Sequence, residues 1–444
     1  MTYKRYEKYK YSGIDWIGEV PAHWNIGGMT KYIDNIVDYR GKTPEKVKEG
    51  IFLVTAKNIK DGVINYDNSK EYVKYDDYEE VMKRGKPKIG EVLFTTEAPL
   101  GEVANVDNEN IALAQRIIKF SSNKQKLNNY FLKYWILSNG FQNNLKSLAT
   151  GSTAEGIKSS KLFNLKVVLP TISEQETIVR FLDSNISKID SLIEEKEKLI
   201  KLLKEKREAI ITEAVTKGVD KNVKMKDSGV EWIGNIPGNW NIKKLRYLGE
   251  LQNGISKSAE YFGKGFPFVS YSDVYKNEEI PKEVNGKVES TTSERKLYSV
   301  KEGDVFFTRT SETIEEIGFA STCFSSLEDS TFAGFLIRFR AYEEMLYKGF
   351  SKYYFRSNIH RRFFVKEMNI VTRASLSQEL LKQLPVLIPT INEQKKIYDF
   401  LNRKSADIDM IITDIKIQIN SLNEYKKSLI SEVVTGKIDV RNKV

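Results

Sequence analysis

The chain repeats itself, and that repetition limits its possible folds more than any other feature. Ser12–Ile26 reads SGIDWIGEVPAHWNI and Ser228–Ile242 reads SGVEWIGNIPGNWNI, with nine of fifteen positions identical at an offset of 216. Pro170–Leu182 (PTISEQETIVRFL) returns as Pro389–Leu401 (PTINEQKKIYDFL) at an offset of 219, and Ile211–Asp220 (ITEAVTKGVD) returns as Ile430–Asp439 (ISEVVTGKID) at the same offset. Between these anchors the match fades. Gly90–Ala104 is echoed loosely by Gly303–Ala320, and FLKYWILSN (Phe131–Asn139) by FSKYYFRSN (Phe350–Asn358).

Two copies are too few for a solenoid. They fit a pseudo-twofold molecule of two related halves. The order is variable block, repeated helix, variable block, repeated helix, over residues 1–170, 171–217, 218–389 and 390–444. Shared parts are expected to do one job twice, and diverged parts two versions of one job. The charge divides with the blocks. Lys and Arg outnumber Asp and Glu by 26 to 20 in residues 1–170 and by 25 to 22 in residues 218–389; the counts are 9 against 10 in residues 171–217 and 10 against 8 in residues 390–444. A net charge of +10 permits a polyanionic partner, to be sought in the variable blocks.

From Glu174 to Thr216 there is no Gly or Pro, and apolar residues recur at helical spacing from Ile178 through Ile186 and Ile189. Ser173 with Glu176 predicts a capping-box start, Asn392 an N-cap for the second copy, and Gly218 and Gly436 the stops. In the second copy Ile412, Ile415, Ile419, Leu422, Lys426, Leu429 and Val433 alternate by three and four, which is a heptad seam. Shifted by 219, that seam falls on Ile193, Lys196, Ile200, Leu203, Arg207, Ile210 and Ala214, so Arg207 and Lys426 place a base at the same layer. The spacing predicts two long helices paired antiparallel, the bases fixing register at a cost in stability. Ile186 to Val215 would span about 45 Å at 1.5 Å per residue. The alternative is two separate amphipathic helices, each packed on its own domain.

The variable blocks mix short strand-like runs (IFLVTAKNI, EVLFTT, IALAQRIIKF and LKVVLP in the first; FPFVSYSDV, DVFFTRT, FAGFLIRF and LPVLIP in the second) with helical stretches at Asn128–Leu148 and Tyr347–Glu367. This is α+β patterning. Trp16, Trp24, Trp232 and Trp240 are expected core anchors. One cysteine, Cys323, and two histidines, His23 and His360, argue against a disulfide framework, a zinc site or a Cys-His or Ser-His nucleophilic enzyme. No two prolines are adjacent, so the Asn/Asp-Pro-Pro-aromatic motif of an amino-methyltransferase is absent. Arg40-Gly41-Lys42-Thr43 looks like the end of a phosphate loop, but Ile36 stands where its first glycine is required. No apolar run approaches the roughly 18 residues that span a bilayer. The opening MTYKRYEKYKYSG has no apolar stretch behind its basic residues, so no signal peptide is expected, and the single cysteine points to a reducing, cytoplasmic compartment.

These paired motifs, in this order and over essentially the whole chain, resemble the specificity (S) subunit of type I restriction–modification systems. The resemblance implies an α+β fold with two globular target-recognition domains in pseudo-twofold arrangement, residues 1–170 and 218–389. Two long antiparallel coiled-coil-like helices, residues 171–217 and 390–444, would bridge them. It implies a non-catalytic chain. Each variable domain would read one half of a bipartite, asymmetric target in double-stranded DNA, the half-site centres about 10 bp apart. The helices would set the unread spacer and dock two methyltransferase (M) subunits, with restriction (R) subunits joining. No cofactor is expected on this chain; S-adenosylmethionine, ATP and Mg would be bound by the partners, and the methyltransferase would flip an adenine from the duplex. A protein scaffold of the same architecture without DNA readout is the alternative.

For DNA contact, Arg40, Gly41, Lys42 and Thr43 form a basic turn suited to phosphate, matched in the second block by Asn253, Ser256 and Lys257. Thr95 and Thr96 follow a strand equivalent to that before Thr308, Arg309 and Thr310, and Arg309 could meet guanine in bidentate fashion. Gln115 and Arg116 have no basic match, since Gly334 and Phe335 stand there. Ser152 and Thr153, with Lys158, resemble the family's loop before the helix, where the second block has Thr372 and Arg373. Ile193, Ile200, Leu203, Arg207, Ile412, Ile419, Leu422 and Lys426 are the expected partner-binding helix residues.

Overall fold

A computed structural model describes residues 4–39, 44–150, 155–311, 317–367 and 374–442. The chain forms two compact units, residues 1–197 with 416–444 and residues 198–415. The division therefore falls within the two repeated helical blocks, between residues 197 and 198 and between 415 and 416. The reason is packing: Ile178, Phe181, Leu182 and Ile189 join Leu429, Val433 and Val440 in the core of the first unit, while Ile211, Ala214 and Val215 join Ile397 and Leu401 in that of the second.

The central helix runs Ile172–Lys217 and the C-terminal helix Ile391–Val434. Both start earlier than the cap signals suggested. Thr171, not Ser173, closes the capping box: its hydroxyl accepts the Glu174 N–H at 3.3 Å and Glu174 Oε2 accepts the Thr171 N–H at 3.2 Å. Thr390, not Asn392, receives the Glu393 N–H at 3.4 Å. In each case a short strand and a proline deliver the chain directly to that threonine, and the helix begins at the next residue. Gly218 and Gly436, at φ +75° and +72°, end the helices as expected.

The helices pair within each unit taken separately. In the first, Lys426 Nζ lies 2.7 Å from Asp190 Oδ1 and Lys196 Nζ donates to Gln418 Oε1 at 2.6 Å, which is antiparallel order. In the second, Arg207 Nη1 lies 2.9 Å from Asp409 Oδ1. Shifting Arg207 and Asp190 by the repeat offset of 219 gives Lys426 and Asp409, so one interhelical ion pair is built twice.

The fading variable blocks keep one topology. The first unit has a four-stranded antiparallel sheet in the order Leu100–Asn105, Val92–Thr96, Ile117–Ser122, Ile33–Asp38. The second has Ala320–Thr322, Val305–Thr308, Leu336–Ala341, Gly249–Asn253 in the same order. Each also has a three-stranded sheet with one parallel pair, Ile51–Val54 with Ile111–Leu113 and Phe262–Val269 with Thr331–Phe332. Helices Asn129–Leu137 and Asn139–Leu148, and Lys348–Arg356 and Arg361–Glu367, occupy the two expected helical stretches.

The strongest repeats meet in space. In the second unit Gly218, at the end of the central helix, lies over Trp240; in the first, Gly436 lies against Pro21 and Trp24. Trp24 and Trp240 are fully buried, each worth on the order of 5 kcal/mol of apolar burial. Trp16 and Trp232 are half-buried and pack on the same cores.

Candidate nucleic-acid interface

The site is built at one end of each four-stranded sheet. Thr95 faces Ile117, and the Thr96 N–H donates to the Arg116 carbonyl at 2.9 Å. In the second unit Thr308 faces Leu336, and the Arg309 N–H donates to the Phe335 carbonyl at 2.9 Å. Register therefore makes Thr95 equivalent to Thr308, Thr96 to Arg309 and Arg116 to Phe335. A third segment closes each end: the Ile157 N–H reaches the Thr96 carbonyl at 3.0 Å, and the Leu376 N–H the Arg309 carbonyl at 2.7 Å. Three loops thus converge on the same edge in both units.

The side chains there differ. In the first unit Arg116 is exposed, at φ +79°, with its Nε 2.8 Å from Glu97 Oε1. Gln115 is half-buried beside it, and Lys158 is exposed on the third segment. In the second unit Arg309 and Thr310 are half-buried and Ser256 is exposed. Lys257 lies 2.9 Å from Glu294, whose carboxyl is held below its ordinary range by the Thr291 backbone N–H first and Lys257 second. Asn253 ends the edge strand opposite Ile337.

Three expected contacts require correction. Thr95, Thr96 and Thr308 are buried within the sheet. Their hydroxyls serve the backbone: Thr95 Oγ1 accepts the Glu102 N–H at 2.9 Å, Thr308 Oγ1 accepts the Phe319 N–H at 2.8 Å, and Thr96 Oγ1 donates to the Arg116 carbonyl at 3.2 Å. They shape the edge and present nothing at it. Arg40, Gly41, Lys42, Thr43, Ser152, Thr153, Thr372 and Arg373 lie outside the described residues.

The helix residues named for partner binding lie along the seam between the paired helices. Ile193, Ile200, Leu203, Arg207, Ile419, Leu422 and Lys426 are half-buried and Ile412 is buried, because the seam is consumed by helix pairing. The apolar side chains left exposed are Leu192, Ile417 and Tyr425 on the first unit and Leu199, Leu202, Met410 and Ile411 on the second. Heptad arithmetic identifies the seam, and these exposed apolar residues lie outside it.

The first unit also holds an open cavity of 1070 Å³ between Asp61–Val63, the helical stretch from Lys133 to Lys146, and the paired long helices. Burial holds Lys133 below the ordinary lysine range and Glu102 above the ordinary carboxylate range. Among the described residues no cluster of three or more His, Cys, Asp or Glu could hold a metal. Cys323 is buried and its thiol is pushed up to about 12, first by burial.

The family model for the type I restriction modification DNA specificity domain matches the chain twice, over residues 30–202 and 237–421. The chain belongs to this specificity family. The first match falls largely within the first unit and the second largely within the second. This specificity chain is 24% identical over 316 residues to the type I restriction enzyme EcoKI specificity subunit of Escherichia coli (strain K12), covering 69% of this chain and 65% of that one. It is 21% identical over 311 residues to the StySPI specificity subunit of Salmonella potsdam, again covering 69% and 65%. The match thus spans just under two thirds of the length of these relatives. The fold is that of a chain solved for complex assembly and conformational transition of the type I R-M system (TM-score 0.66, 16% identity, 94% of this chain and 98% of that one). The HsdS subunit from Thermoanaerobacter tengcongensis is similar at TM-score 0.52 and 14% identity, with the same coverage. Among the described residues no helix is long and apolar enough to cross a membrane.

Proposed function

We propose that this specificity chain reads a bipartite, asymmetric DNA target, one half-site with each unit, as part of a type I restriction–modification complex. It has no catalytic role of its own. The long helices set the unread spacer and dock two methyltransferase subunits, which bring S-adenosylmethionine. Restriction subunits, which use ATP and Mg, join that assembly.

One observation carries the reading. Two units share one strand order and one three-loop edge, yet the equivalent edge residues differ: Arg116 against Phe335, Gln115 against Gly334, Glu97 against Thr310. One scaffold with two different reading edges is what an asymmetric two-part target requires. Exposed Arg116 and Lys158 suit guanine and phosphate respectively. The exposed apolar residues on the outer helix faces suit a protein partner.

Co-expression with the methyltransferase subunits, followed by genome-wide mapping of methylated adenines, tests this. A two-part motif with an unread spacer is expected. A stable complex that methylates nothing would leave a scaffold without DNA readout.

A further inference from the structure

Phe335 stands at the loop end of the second unit's four-stranded sheet, where its carbonyl accepts the Arg309 N–H. Its ring is 64% exposed on the turn that leads into strand Leu336–Ala341, although a phenyl group gains stability from burial. The turn beneath it is tightly held. The Leu336 N–H donates to the Ala333 carbonyl at 2.9 Å, and the Ile255 N–H to the Phe332 carbonyl at 2.8 Å. Ile255 and Ala333 form a parallel bridge, which lays the Asn253–Lys257 loop across the turn. A Cβ on Gly334 would stand 2.4 Å from Ser256 Oγ and 3.1 Å from the Ile255 carbonyl, so the loop and the turn are closely packed there. The loop packs against the turn, and the next side chain, Phe335, is exposed.

The equivalent turn in the first unit presents Arg116. It does so at φ +79°, a conformation that side-chain-bearing residues rarely adopt, and Glu97 fixes its guanidinium. Both halves therefore present one exposed side chain at the same point of the same edge. One is the residue type that meets guanine N7 and O6, and the other is a type that meets the thymine methyl group.

We propose that Phe335 is a base-reading residue of the second unit, touching a thymine C5-methyl group in the major groove, and that Arg116 reads a guanine from the same position in the first. This rests on the DNA-reading function proposed above and adds which base each edge selects. The two can fail separately, because the wild-type motif is mapped before any variant is judged.

The test uses the full complex of the chain with its methyltransferase subunits. Arg116→Ala identifies the first unit's half-site as the one whose specificity it relaxes. In the other half-site each thymine is replaced in turn by deoxyuridine, which lacks only the methyl group. Wild-type binding is expected to weaken about fourfold at one position, the equivalent of one lost methyl contact. Phe335→Ala is expected to bind thymine and deoxyuridine equally there. The inference is overturned if that half-site contains no thymine, or if the variant discriminates the methyl group as wild type does. A wild-type complex with no motif at all would overturn the DNA-reading function and this inference with it.

Discussion

Lys119 offers the sharpest test of how the reading edge is held. It lies on strand Ile117–Ser122, three residues after Arg116, and its side chain is only 3% exposed. Its ammonium lies 2.6 Å from Glu91 Oε2 and donates to the Lys86 carbonyl at 3.0 Å. Glu91 also accepts the Lys88 N–H at 2.8 Å and the Ser121 hydroxyl. Lys119→Met keeps the stem and removes the charge, leaving a buried carboxylate without its cation. Breaking a buried pair in this way costs about 3–5 kcal/mol. For a unit of this size that lowers the melting temperature by roughly 6–20 °C. Calorimetry that resolves the two units should show the fall in the first alone. Lys83→Met is the control, since Lys83 pairs with Glu80 in solvent, its side chain 63% exposed; it should change stability by less than about 0.5 kcal/mol. Adding Glu91→Gln to Lys119→Met should recover part of the loss by removing the stranded charge. If Lys119→Met shifts the transition no more than Lys83→Met does, the pair is not what holds this strand.

Other outcomes follow from the same geometry. Burial first, and Arg361 second, push His360 down from 6.5 to about 3. Between those pH values the unfolded chain binds a proton that the folded one refuses. The second unit should therefore lose stability as pH falls through that window, by up to about 1.4 kcal/mol per pH unit, and His360→Gln should flatten the dependence in pH-controlled denaturation. Gly436→Ala should destabilise the first unit by well over 1 kcal/mol, since its Cβ would lie 2.4 Å from Pro21 at a positive φ; Gly234→Ala, at φ +70° in open space, should cost the second unit only about 1 kcal/mol, as read by denaturant titration. Double-mutant cycles on Asp190 with Lys426 and on Asp409 with Arg207 should each give about 0.5 kcal/mol of coupling, because both pairs are partly exposed. Coupling in one pair and none in the other would show that the repeat is not energetic.

The helices were legible because a period of three and four survives any tertiary context. Their starts were not, because Thr171-x-x-Glu174 and Ser173-x-x-Glu176 overlap and only the preceding strand and proline choose between them. The repeat gave the two halves, but the shared strand order lay in backbone pairing that sequence divergence hides. Candidate edge residues fared unevenly. Arg116 stands exposed, whereas Thr95, Thr96 and Thr308 looked like loop contacts and proved to be hydroxyls spent on the sheet. Phe335 read only as a missing base, although a glycine followed by a lone phenyl at a turn was the available signal. Lys119 gave a weaker signal still, a single charge inside the apolar run IIKF, with Glu91 far away in the chain.

The central claim is that each unit reads its own half of the target. It is tested most directly by exchanging residues 26–170 for the corresponding block of another specificity chain of this family, then mapping methylated adenines in cells that carry the same methyltransferase subunits. The account predicts a motif altered in one half, with the other half unchanged. A motif altered in both halves, or in neither, would contradict it.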